Sequence, residues 1–156
     1  MAQPILHEHY LNPLLEMLDE VFENHHGYIL DKGTSLFETL ATVSAAQASI
    51  PVGGKCATLA AQVAHITYYI ELLEQIILTR TYPQADWGEI WRTVGKVTPE
   101  EWDDLREKLK AAYRRIVELL RANPAWDADS IGGTLGILAH TAYHLGEIRQ
   151  ALCILV

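Results

Sequence analysis

Gly132-Gly133-Thr134-Leu135-Gly136-Ile137-Leu138-Ala139-His140-Thr141-Ala142-Tyr143-His144-Leu145-Gly146-Glu147 sets two histidines four residues apart in a segment apolar on nearly all sides. At about 100° per residue, that spacing puts both imidazoles on one face of a helix, where they can hold a single metal ion. Gly133, Gly136 and Ala151 fall within roughly 40° of His140 on the same wheel. The histidine stripe therefore carries little other side chain, and a cavity is expected beside it. The pair is incomplete as a metal site, so a third ligand has to come from another element.

The remaining segments also read as helices. The first covers roughly Pro4 to Asn24, with Leu11, Leu14, Leu15, Leu18, Val21 and Phe22 at helical spacing and Gly27 as its stop. Asn12-Pro13 is either a cap with proline in the first turn or a kink in a helix begun earlier. Ser35-Leu36-Phe37-Glu38 is a capping box that opens a shorter helix, and Pro51, Gly53 and Gly54 prevent its continuation. A long helix is expected from about Lys55 to Leu78. On it Thr67, Glu71 and Glu74 lie opposite His65, which turns that histidine inward.

Thr79 to Val97, with Pro83, Gly88, Gly95, Trp87 and Trp91, reads as an extended connection containing one short helical turn. Large aromatics at such a place seal a core or line a pocket mouth; sealing is the expectation. Thr98, Pro99 and Glu101 then mark a helix start, with Trp102, Leu105, Leu109, Ala112, Ile116 and Leu119 inward and an end at Asn123-Pro124. Ser130 is expected to open the last helix, which has too little polar surface to face water alone. No segment alternates as a strand does. The fold expected is all-α: one domain over residues 1–156, a four-helix bundle with an additional short helix. In such a bundle His65, His140 and His144 can converge at one depth.

Composition narrows the function. The chain has 156 residues, 49% hydrophobic, with a net charge of −8. Its basic residues are dispersed or interleaved with acids, as on a solvated helix face, so no nucleic acid is expected as partner. No apolar run spans a bilayer, and Met1-Ala2-Gln3-Pro4 begins no secretory leader, so no membrane is expected and the location expected is cytoplasmic. Cys56 and Cys153 lack metal-type spacing and read as buried thiols, Cys56 with some activation by a nearby helix start. His7 and His9 are expected to be exposed, and His25 and His26 to sit at the C-terminal end of the first helix. Glu23-Asn24-His25-His26 holds a single Glu-x-x-His, where a di-iron bundle needs two.

The chain resembles the DinB family of four-helix-bundle metalloproteins. The resemblance rests on Ser35 to Leu40, Val63-Ala64-His65-Ile66-Thr67-Tyr68-Tyr69, Trp87, Trp91, Glu101-Trp102 and, most specifically, His140 to Gln150. It implies a divalent ion, commonly nickel or zinc, held by His65, His140 and His144. It also implies a homodimer and a small-molecule substrate. Some members of the family are S-transferases or isomerases that use low-molecular-weight thiols; for many no reaction is known. A shared fold does not fix the chemistry.

Three neutral imidazoles leave a divalent ion with an open position for water or substrate, and zinc, nickel, iron and copper all accept such ligands. The ion can bring the pKa of water to about 7 or hold a thiol as thiolate. Thiol-dependent S-transfer and metal-assisted hydrolysis are thus the two enzyme readings. The competing reading is a non-catalytic, stress-related metal-binding bundle. Glu147 is the candidate catalytic residue: it can orient an imidazole, act as a base or ligate, or else simply pair with Arg149 of a neighbouring helix or subunit. Tyr69 and Tyr143 lie on the sides of their helices that carry His65 and His140.

Overall fold

In the computed structural model, residues 6–122 and 126–155 are described. Among them the chain is all-helical, with α1 (His7–Phe22), α2 (Leu36–Ala41), α3 (Ala45–Ala48), α4 (Leu59–Thr79), α5 (Glu89–Thr93), α6 (Pro99–Ala122) and α7 (Ala128–Leu152). A single 3-10 turn, Val52–Gly54, precedes α4. The four long helices share one core, in which Leu18, Phe22, Ile66, Ile70, Leu109, Ile116 and Ile137 are fully buried. α4 packs along both α6 and α7, while α1 lies against α7 and α6. None of the described helices is long and apolar enough to cross a membrane.

Pro13 lies within α1 and not in its first turn, so the helix begins before it, at His7. The helix also ends sooner than expected, at Phe22, because Glu20 captures the chain that follows. This carboxylate is fully buried and accepts from the backbone N–H groups of Gly27, Tyr28, Ile29 and Leu30 at 2.8–3.2 Å. Burial pushes its pKa up, but the four N–H donors outweigh that and hold it at about 2. Gly27, at φ +90, turns the chain onto them and does not itself cap α1.

Ser35 and Glu38 form the expected capping box. The helix it opens is short because a second box, Ser44 with Gln47, starts α3 immediately afterwards. Ser-x-x-Gln was a legible signal at 44–47. α4 begins at Leu59, later than Lys55, since Gly54 has a positive φ and Thr58 is the true cap, accepting from Ala61 N–H. Thr98 and Glu101 satisfy each other's backbone N–H at the start of α6. Its inward face includes Tyr113 and Leu120, with Leu105 and Leu119 only partly buried, and Trp102 donates to Val43 O at 2.8 Å. The expected end at Asn123-Pro124 lies outside the described residues.

The last helix starts at Ala128, earlier than Ser130, because Asp127 caps it by accepting from Ser130 N–H. Asp127 also receives the guanidinium of Arg80, the left-handed residue that closes α4. This contact joins the end of α4 to the start of α7, which pack antiparallel. Fifteen residues back along α4 from Arg80 is His65; thirteen and seventeen forward from Asp127 are His140 and His144. At 1.5 Å per residue the three histidines share a depth about 22 Å from that contact.

Candidate metal centre

That shared depth brings the three rings together. One nitrogen from each of His65, His140 and His144 lies within 4.8 Å of the other two. Nε2 of His65 and Nε2 of His140 are 3.1 Å apart, and His144 stands edge-on to both rings. His65 and His144 are buried, His140 partly so. Burial first, and then the neighbouring histidines, push the pKa of His65 and of His140 down to about 4. His144 is also lowered by burial, with Glu147 opposing. Neutral rings with converging lone pairs are the form in which imidazole binds a divalent ion.

The ring nitrogens that face away are treated unequally. His144 Nδ1 is 3.0 Å from Glu147 Oε2 and 3.2 Å from Gln62 Oε1. A carboxylate only accepts, so Nδ1 carries the hydrogen and Nε2 is left with its lone pair for an ion. Glu147 therefore orients an imidazole, one of the roles expected for it. Nδ1 of His65 and of His140 is buried without a partner. Gln62 was missed from the sequence, although it lies one helical turn before His65 on the same face.

Aromatic rings border the triad. Tyr69 stacks on His140 with centroids 3.8 Å apart and planes 11° apart. Trp91 of α5 lies over His65 at 4.4 Å, and Trp87 touches Tyr68 and Tyr69 at 5.9 Å. Both tryptophans remain exposed, so they border the site and do not seal the core. Tyr143 is exposed beside His144, and a hydrogen bond with Glu147 raises its pKa.

No family model, curated protein or solved structure matches the chain.

Three sequence expectations are corrected. The glycine stripe on α7 is not open space: a Cβ on Gly136 would lie 2.9 Å from the Tyr69 hydroxyl, and one on Gly133 would touch Leu73 and Ile77. Side chains of α4 fill the room that the glycines leave. Cys56 and Cys153 are exposed free thiols, not buried ones. Thr67 is buried, its hydroxyl bonded to Val63 O, while Glu71 and Glu74 both reach across to Arg115 of α6. His7 and His9 are exposed, as expected; His25 and His26 are exposed too, beyond the end of α1 at Phe22, and His26 pairs with Asp19 at 2.6 Å. Arg149 reaches Thr34 O and makes no pair with Glu147 within the chain.

Proposed function

We propose that the chain is a divalent-metal-dependent enzyme on a four-helix bundle of the DinB type, acting on a small molecule by thiol-dependent S-transfer or metal-assisted hydrolysis. The observation that carries this reading is the convergence of three imidazoles with no fourth Cys, Asp or Glu among the described residues joining them. A three-nitrogen set is the usual protein share of a catalytic site, whereas structural sites are closed by four ligands.

His65, His140 and His144 would hold the ion; nickel and zinc suit them, and the donor set does not separate the two. The ion supplies Lewis acidity, which makes a water or thiol nucleophilic at neutral pH. The chain supplies the rest. Glu147 and Gln62 hold His144 in one tautomer and one orientation. Trp91 and Tyr69 wall two sides and limit water, which strengthens electrostatic interactions within. Glu147, half exposed on the outer side of the His144 ring, would accept a proton from the site through that ring or through water. The same reading includes a homodimer, because α7 exposes Ile131, Leu135 and Tyr143.

The test is a screen of the metal-loaded protein against electrophiles with several cellular thiols. Turnover is expected to require His65, His140 and His144 together, and Glu147→Gln to lower the rate with metal retained. Spectra of the cobalt- or nickel-loaded protein that neither thiols nor small anions alter would overturn the enzyme reading. That result would favour a non-catalytic metal-binding role.

A further inference from the structure

On the far side of Gln62 and Glu147 from the triad lies a cavity of about 490 Å³ between the 52–57 segment and the C-terminal half of α7. Val52, Ala57 and Ile154 give it mainly apolar walls, and Cys56 stands at its side. Gln62 and Glu147 are among its few polar lining groups. Few polar groups in an apolar recess of this volume is the usual make-up of a small-molecule site.

The hydrogen-bond pattern of its polar end is fixed. Glu147 forces the hydrogen onto His144 Nδ1, so Gln62 has to turn its oxygen toward that N–H. Its amide nitrogen is left facing the other way. Among the described residues that nitrogen donates to nothing, although Gln62 is only 7% exposed. The nitrogen is not among the fully enclosed polar atoms that lack a partner, so it is reachable from the cavity that Gln62 lines. Beside it stands the Glu147 carboxylate, an acceptor with capacity to spare. A donor and an acceptor side by side are the complement of a primary carboxamide, whose carbonyl and one N–H lie on the same edge.

We propose that this cavity binds a small primary carboxamide with an apolar substituent, the amide bridging Gln62 Nε2 and the Glu147 carboxylate. The site stands whether or not an ion occupies the triad, so its failure and the failure of the enzyme reading are separable.

Two thiols supply the readout. Cys56 borders the cavity and Cys153 does not, yet both are exposed. Modification of each by a dithiobis(nitrobenzoate) reagent, followed site by site by mass spectrometry, is measured with benzamide as probe. The probe is expected to slow reaction at Cys56 saturably and leave Cys153 unchanged. Acetophenone has nearly the same shape without the N–H, and should need about tenfold more for equal protection, the worth of one buried hydrogen bond. Gln62→Leu removes the donor to the carbonyl, which both probes carry, and should weaken protection by both while leaving the difference between them, which the Glu147 carboxylate reads. Gly146→Leu should abolish protection altogether by filling the recess; a Cβ at Gly146 meets nothing within 4 Å, so the fold is kept, as its melting curve will show. Absent protection, equal protection by both probes, or protection that survives in Gly146→Leu would each overturn the proposal. If Gln62→Leu does not fold, the probe pair and Gly146→Leu still decide.

Discussion

Glu147 Oε2 lies 3.0 Å from Nδ1 of His144, one turn earlier on α7, and so determines which nitrogen of that ring is left for a ligand. Partners of this kind typically contribute 10–100-fold in metal affinity. Glu147→Ala should therefore weaken binding by about that factor, and Glu147→Gln by less, because its amide oxygen still accepts. Titration against a competing chelator measures both. Unchanged affinity in Glu147→Ala would show that packing alone holds the ring.

Metal content itself is the simplest discriminator among the histidines. His65→Ala, His140→Ala and His144→Ala should each purify without stoichiometric metal, while alanine at His7, His9, His25 or His26 should leave it unchanged. Elemental analysis of the purified variants reads this out. Full occupancy in His140→Ala would remove the site.

Acid should act on the ion-free protein through His65 and His140. Their folded pKa, about 4, lies below the ordinary 6.5, so between these values the unfolded chain binds more protons than the folded one. Stability is then complete above about pH 6.5, falls as pH drops, and levels off below about 4. Denaturant midpoints across that range should decline in the native protein and decline less in His65→Gln. Parallel curves for the two would contradict the burial of neutral rings.

Glu20 should prove structurally indispensable although it is remote from the histidines. Glu20→Ala strands four N–H groups that now share one carboxylate, and should cost about 3 kcal/mol, or roughly 10 °C in Tm for a chain of this length. Glu20→Gln retains one acceptor oxygen and should lose less. Differential scanning calorimetry settles the order of the two.

Light scattering at micromolar concentration should give twice the chain mass of 17.5 kDa. Leu135→Glu places a charge in the exposed apolar stripe of α7 and should yield monomers with an unchanged helical spectrum. A native monomer would mean that the stripe faces water.

The helices and the triad were legible because both depend on local periodicity and local caps. His140 and His144 share a face by spacing alone, and Thr98 with Glu101 announces α6 whatever packs against it. Other features depend on groups distant in sequence. Asp127 caps α7 where Ser130 seemed to, since both are good capping residues and only the position of Arg80 favours the earlier one. Gln62 meets His144 across 82 residues, and Glu20 looks like any polar residue on a helix until the following loop folds back onto it. Small residues near His140 were read as room for a ligand because a sequence does not show what a neighbouring helix sends into a gap.

What α4 sends into that gap is the Tyr69 hydroxyl, seated against Gly136 where a methyl group would lie 2.9 Å away. The ring of that tyrosine is the one that lies flat on His140. Gly136 is thus a spacer that works by its thinness: it leaves room for the Tyr69 hydroxyl between α4 and α7, the two helices that carry His65 and His140. Alanine there would push the Tyr69 hydroxyl, and with it the ring stacked on His140, so the affinity of an ion held by the three histidines is expected to change at a residue that is none of its ligands.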